Sequence, residues 1–108
     1  WDEGRVSKYN NRRVNSPDGW FDSEREYRRW GELKLLEKAG KIKDLKRQVP
    51  YELIPKDGRL RAIKFIADFV YVEKGKEVVE DSKGYRNRLY MLKWRLMLDR
   101  HGIAVLET

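Results

Sequence analysis

The stretch that most constrains the fold of this chain is residues 66–84, IADFVYVEKGKEVVEDSKG. Its first part is rich in β-branched and aromatic residues, which favour a strand, and the Lys-Gly pair at 74–75 provides a turn into a second strand. The two strands carry Asp68 and Asp81 where a sheet normally buries apolar side chains, and Lys83 follows. We therefore predict a β-hairpin that bears an acidic site.

The register of this hairpin decides which acids meet. Side chains alternate between faces along a strand, so strict alternation places Asp68 on one face with Ile66 and Val70. A turn with an even number of loop residues puts Asp68 directly opposite Asp81. A three-residue loop with a bulge would put Glu80 there instead.

We favour the even register, because it gathers Asp68, Asp81 and Lys83 on one face. Opposed side chains lie about 5 Å apart, and like charges there destabilise a sheet. A hard divalent cation between the carboxylates would turn that repulsion into coordination. Such a metal activates water and polarises a phosphate, while Lys83 would orient the water or stabilise charge on a phosphoryl oxygen. The arrangement suits phosphodiester hydrolysis, although an Asp-x-Lys triplet alone is also common on solvated strands.

The composition indicates one folded, basic domain. The chain has 108 residues and a formal net charge of +7, with enough aromatic residues to close a core. A positive field attracts polyanions, and charge alone leaves DNA, RNA and anionic lipid open. Cysteine is absent and His101 is the single histidine, which excludes disulfides, zinc fingers and thiol nucleophiles. Any metal must take oxygen ligands, which favours Mg²⁺, Mn²⁺ or Ca²⁺.

The sequence also bears on location. No apolar run approaches the roughly 20 residues needed to span a bilayer, and no signal-peptide pattern opens the chain. We therefore expect a soluble, cytoplasmic protein without membrane contact. Because the first residue is Trp1 instead of Met, we expect some N-terminal sequence to be missing.

The first half of the chain predicts a helix and an edge strand. Residues 1–20 lack sustained periodicity and form a basic arm, with room for one short strand. Asp22 or Ser23 then caps a helix that runs to about Ala39. Residues 43–55, KDLKRQVPYELIP, alternate as a half-buried strand, and Pro50 places it at an edge or a bulge.

The second half completes one α/β domain at residues 21–108. The hairpin supplies two more strands, apolar helical spacing predicts a second helix from Tyr85 to about Arg100, and residues 103–108 read as a final strand. The order α-β-β-β-α-β predicts helices packed on a small mixed sheet.

Glu26 and Gln48 are further candidates for the site. Glu26 shares a helical stripe with Trp30 and Leu33, so its carboxylate leans toward the packed face. Residues 23–26, Ser-Glu-Arg-Glu, are also a capping box in which Glu26 would bond back to the cap. Gln48 could contact a phosphate or a metal-bound water, or be an exposed strand residue. These alternatives stay open from the residues alone.

Basic residues near both ends of the chain are candidates for phosphate contacts. They are Arg5, Lys8, Arg12 and Arg13 in the arm, and Arg86, Arg88, Lys93 and Arg95 around the second helix. Arg86 and Arg88 are favoured because they lie near Lys83 in sequence.

Residues 21 to about 105 resemble the PD-(D/E)xK nuclease superfamily, whose restriction-endonuclease-like core has the same α-β-β-β-α-β order. The resemblance lies in three segments: FDSEREYRRWGELKLLEKAGKI, IADFVYVEKGKEVVEDSKG and GYRNRLYMLKWRLML. Within the superfamily, the chain is most similar to small phage-encoded proteins that resemble archaeal Holliday-junction resolvases.

The resemblance implies roles for four residues. Asp68 and Asp81 match the two metal-binding acids of the family hairpin. Lys83 matches the lysine of the motif, and Glu26 matches the acid of the first helix.

Two positions depart from the family pattern. Ala67 stands where the family has proline, and Asp81 stands where glutamate is commoner. Neither departure removes a ligand, but Glu80 remains an alternative ligand to Asp81.

The resemblance further implies a Mg²⁺- or Mn²⁺-dependent endonuclease, often a homodimer whose two sites cut paired strands. The small size favours structure-selective cutting of branched DNA such as a four-way junction, in the host cytoplasm if the protein is phage-encoded. The alternatives are a nicking or general duplex endonuclease on the same fold, and a nucleic-acid-binding module without catalysis.

Overall fold

A computed structural model describes residues 13–82 and 87–108 of the chain. Its elements are β1 (Val14–Ser16), β2 (Gly19–Phe21), α1 (Glu24–Lys38), β3 (Lys43–Ile54), β4 (Ile63–Glu73), β5 (Lys76–Asp81), α2 (Arg88–His101) and β6 (Leu106–Glu107). From α1 onward this is the predicted α-β-β-β-α-β order, and the mixed α/β class is confirmed. The β1–β2 hairpin precedes that core.

Local signals account for the helix ends. Ser23 caps α1, since its hydroxyl accepts a hydrogen bond from the Glu26 amide, and Gly40 follows the helix at φ +78°. The side chain of Asn87 accepts from the Tyr90 amide and begins α2 at Arg88. The predicted start of that helix at Tyr85 lies outside the described residues.

The main sheet has the strand order β3-β4-β5-β6. The first three strands are antiparallel, and β6 pairs in parallel with β5. Because β3 is an edge strand, the sheet tolerates the missing amide hydrogen of Pro50, as predicted.

The β4–β5 hairpin adopts the even register. Glu73 pairs with Lys76 across a two-residue turn, and Phe69 pairs with Glu80. Both turn residues have positive φ, as a tight hairpin turn requires. The alternative that places Glu80 opposite Asp68 is therefore wrong, and one further step of the same register brings Asp68 level with Asp81.

The two helices cover opposite faces of the sheet. The α1 face buries Phe21, Leu33, Ile42, Phe69 and Tyr71. The α2 face buries Leu53, Phe65, Ala67, Val70, Val79, Tyr90, Met97 and Val105. Each core therefore lies between the sheet and one of the two helices.

The side-chain alternation of β3 and β4 breaks in the middle of both strands. Ala67 belongs to the core under α2 and Phe69 to the core under α1, although strict alternation would place both on one face. Leu45 and Val49 on β3 divide between the two cores in the same way. The break lies at Gln48, whose φ is +53°.

The break corrects the expectation that Asp68 shares one face with Ile66 and Val70. Ile66 is exposed, whereas Val70 is buried under α2. Asp68 lies between them, at the position where the strand changes face.

Candidate active site

Three residues predicted for the site come together at the break. The side-chain amide of Gln48 donates to Glu26 Oε2 at 3.2 Å and to Asp68 Oδ1 at 3.4 Å. These side chains come from α1, β3 and β4. We call them the Glu26–Gln48–Asp68 cluster.

The second oxygen of Asp68 connects the cluster to β5. The backbone amide of Ser82 donates to Asp68 Oδ2 at 2.8 Å. Because Ser82 directly follows Asp81, this bond fixes the acid of β4 beside the end of the strand that carries the Asp-Ser-Lys motif.

Glu26 serves the helix cap and the cluster together. Its side chain is 3% exposed, and its Oε1 accepts from the amide of Asp22 at 3.3 Å, just before the cap residue. Its Oε2 faces Gln48 and lies 3.9 Å from Nη2 of Arg47. The predicted bond to the cap residue is thus replaced by one to Asp22, which precedes the cap, while Oε2 takes part in the cluster.

The environment of Glu26 disfavours its charged form. Burial raises the pKa of Glu26 to about 7, and the negative charge of Asp68 acts in the same direction. The hydrogen bond from the Asp22 amide and the charge of Arg47 oppose the shift. Near neutral pH the Glu26 side chain is therefore partly protonated. A bound cation would stabilise its ionised form.

Asp81 is buried at the end of β5, on the side of the sheet that α2 covers. It is 2% exposed and lines a cavity of about 290 Å³ together with Phe65, Tyr90 and Lys93. Its backbone pairs with Glu107 of β6. The predicted catalytic lysine, Lys83, lies outside the described residues.

Glu80 is held in a different set of contacts. It is completely buried, and Arg29 binds both of its oxygens, through Nε at 2.8 Å and Nη2 at 2.7 Å. The hydroxyl of Tyr71 also donates to Oε2. The contact with Glu80 raises the pKa of Arg29, and burial together with Glu80 raises that of Tyr71. With both oxygens occupied by Arg29, Glu80 is placed as a structural partner of α1.

Arg47 is a site neighbour that sequence reasoning missed. Its guanidinium lies 3.6 Å from the centre of the Phe21 ring and donates to the carbonyl of Trp20 at 2.8 Å. These contacts join the β1–β2 hairpin to the cluster. An arginine in an alternating strand gives no sequence signal for such stacking, because Phe21 lies more than twenty residues away in the chain.

The predicted phosphate-binding residues are only partly described. Arg5, Lys8, Arg12 and Arg86 lie outside the described residues. Arg13 stacks over Trp20 at 4.8 Å, Arg88 is exposed at the first turn of α2, and Lys93 lines the cavity beside Asp81. Arg95 pairs with Asp99 at 3.0 Å.

The donor set of the cluster fits a hard divalent cation. Within residues 13–82 and 87–108, no group of three histidine, cysteine or acidic side chains is arranged to hold a metal ion. Two carboxylates and an amide nevertheless meet in the cluster. Mg²⁺ commonly uses one or two protein carboxylates and completes its shell with water and substrate phosphate. Glu26 and Asp68 would hold the metal, with Asp81 as a further acid at the adjacent strand end.

The fold and these contacts define a class: a small mixed α/β domain with a carboxylate pair at a break in its sheet. The family model described as "Protein of unknown function (DUF1064)" matches residues 6–103, and the chain belongs to that family. No curated protein and no solved structure matches the chain significantly. Among the described residues, no helix is long and apolar enough to cross a membrane.

Proposed function

We propose that this domain is a metal-dependent endonuclease that hydrolyses phosphodiester bonds in branched DNA. The observation that carries the proposal is the Glu26–Gln48–Asp68 cluster, in which two carboxylates from different elements share one amide. Two nearby acids, one of them buried, weaken a fold unless they serve a ligand. Glu26 and Asp68 are also two of the acids to which the PD-(D/E)xK resemblance assigns a role in the site.

Each residue of the cluster has a distinct task in this proposal. Glu26 and Asp68 bind Mg²⁺ or Mn²⁺, which when bound activates water and polarises the phosphate. Gln48 holds the two carboxylates in place. The Ser82 amide fixes the direction of Asp68, so that the acid does not have to be ordered when substrate binds.

Asp81 and Lys83 complete the site by resemblance. Asp81 is a metal ligand in the family pattern, and in this chain it is buried at the end of β5, next to Ser82 in sequence. Lys83 would orient the attacking water or stabilise the developing charge of the phosphoryl group.

The charge favours a polyanionic substrate, and the PD-(D/E)xK resemblance favours DNA. The net charge of +7 supplies the attraction to a phosphate backbone. Selection by shape, as at a four-way junction, needs only backbone contacts. Two copies of the chain would be needed to cut two strands symmetrically.

The test is incubation with a labelled four-way junction and a matched linear duplex, with Mg²⁺, Mn²⁺, Ca²⁺ or a chelator. We expect paired cuts near the crossover with Mg²⁺ or Mn²⁺ and none with chelator. Asp68→Ala should abolish cutting while junction binding persists, and Asp99→Ala, an exposed acid on α2, should cut like the parent protein.

Other outcomes separate the alternatives. Equal cutting of the duplex would replace the junction proposal with a general nuclease. Binding without cleavage in every metal would leave a nucleic-acid-binding module and refute the enzyme.

A further inference from the structure

A basic cavity of about 240 Å³ lies beside the candidate active site. Its lining is formed by Arg25, Arg28, Arg29, Glu32, Ser82 and Thr108. We call it the arginine cavity. None of these arginines was singled out by the sequence pattern, since helix-surface arginines are ordinarily solvated.

The spacing of α1 builds the arginine cavity. Residues three and four apart lie on the same face of a helix, so Arg25 lies beside Arg28 and Arg29. Arg25 Nε donates to the carbonyl of Thr108 at 3.0 Å, which ties its guanidinium to the end of β6. Arg29 is fixed by Glu80 and by Glu32 at 3.0 Å. These two guanidinium groups are therefore held in place before any ligand arrives.

Arg28 supplies charge that no neighbour offsets. Within the described part of the chain, no ion pair involves Arg28, whereas the charge of Arg29 is offset by Glu80 and Glu32. Arg25 donates to the backbone oxygen of Thr108. The lining has three arginines and one acidic side chain, Glu32, and Arg28 keeps several N–H donors for a ligand, the chemistry that recognises a phosphate group.

Ser82 places the arginine cavity next to the cluster. Its side chain lines the cavity, while its backbone amide donates to Asp68. Ser82 also stands between Asp81 and Lys83 in the chain. A phosphate in the cavity and a phosphate at the carboxylates would therefore lie on either side of Ser82, the residue that follows β5.

We propose that the arginine cavity binds the DNA phosphate next to the one that is cut. This proposal rests on the proposed function and adds the subsite that positions the strand. Arg25 and Arg28 make the charge-assisted hydrogen bonds to the phosphate. Arg29 lines the cavity and is held in position by Glu80. Holding a neighbouring phosphate fixes the strand in register, so that one phosphodiester lies at the acids.

The experiment measures binding and cutting separately. Arg25→Ala/Arg28→Ala is compared with Lys41→Ala/Lys76→Ala, which removes the same charge near the opposite end of the sheet, where both lysines are exposed. Binding of a labelled junction is measured by fluorescence anisotropy, with chelator and over a salt series. Circular dichroism checks folding, and Arg28→Ala alone is a second variant.

We expect the arginine variant to bind about tenfold more weakly, with the salt slope reduced by about 1, and the lysine variant to change binding much less. Arg28→Ala alone should show part of the loss. Equal weakening by both double variants, or no weakening by either, would overturn the proposal. Binding is measured without metal and so does not depend on cutting. A protein that never cuts DNA but shows the arginine-specific loss would refute the nuclease and still support phosphate binding in the arginine cavity.

Discussion

The contacts and the surroundings of Glu26 make opposite demands on its charge. Its oxygens accept from the Asp22 amide and from Gln48, which suits a carboxylate, but burial beside Asp68 favours the neutral form. In the folded protein the pKa of Glu26 is raised from the ordinary glutamate value of 4.5 to about 7. The protonated group therefore stabilises the fold fully below pH 4.5, and this stabilisation is lost as pH rises through 7.

This shift predicts a pH-dependent effect of Glu26→Gln on stability. Without metal, the variant should gain stability relative to the parent as pH rises from about 4.5 to 8, reaching at most roughly 3 kcal/mol. The measurement is urea unfolding across this range, with Glu24→Gln on the exposed side of the same helical turn as the control. If the parent and Glu26→Gln instead changed in stability in parallel with pH, ionisation of Glu26 would not destabilise the fold and the prediction would be refuted.

At the scale of single residues, the sequence predicted members of the site better than their contacts. Glu26, Gln48 and Asp68 were all candidates, because residue type and stripe position are visible in a sequence. The positive φ of Gln48, which accompanies the change of face, is not visible, since nothing marks a glutamine for that conformation. Arg47 was missed because its stacking partners are distant in sequence.

At the scale of elements, one buried ion pair joins α1 to β5. Arg29 lies one turn after Glu26 on α1, and its partner Glu80 directly precedes Asp81 on β5. The helix that supplies one acid is therefore fixed to the strand that supplies another. Tyr71 of β4 completes the contact.

Removing Arg29 should be costly, because it leaves a buried charge without its partner. We expect Arg29→Ala to lower the free energy of unfolding by about 3 kcal/mol, and Tyr71→Phe by about 1 kcal/mol. Adding Glu80→Gln to Arg29→Ala should recover part of the loss. Urea unfolding measures these values, with the exposed Arg28→Ala as the control.

An Arg29→Ala protein as stable as Arg28→Ala would refute the stabilising role of the Arg29–Glu80 ion pair. That role would also be refuted if Glu80→Gln made Arg29→Ala less stable, since the second change removes the unpaired charge.

Element order and hairpin register were predictable because they depend on local signals. Ser23, Gly40 and the Lys-Gly turn carry their own conformational preferences, and the even register follows from the turn length. The break in alternation was not predictable, because it lies at the positive φ of Gln48, which no local residue preference indicates. Strict alternation therefore misplaced Asp68.

At the scale of the whole molecule, an apolar patch supports the proposed homodimer. Ile66 of β4 and Leu89 of α2 line one cavity, and each exposes more than half of its surface, as does Leu92 one turn further along the helix. Leu89→Glu/Leu92→Glu should convert a dimer into a monomer of 13.0 kDa in light scattering. Leu35→Glu, an exposed leucine on α1, is the control. A monomeric parent protein at high concentration would contradict the dimer.

The central claim, that the Glu26–Gln48–Asp68 cluster holds a divalent cation, is tested most directly by Mn²⁺ binding without DNA. Electron paramagnetic resonance counts the Mn²⁺ bound to the parent protein, Asp68→Asn and Asp99→Asn at pH 8, where Glu26 is mostly ionised. We predict that the parent and Asp99→Asn bind Mn²⁺ alike and that Asp68→Asn loses this binding. Equal Mn²⁺ binding by all three proteins would contradict the claim.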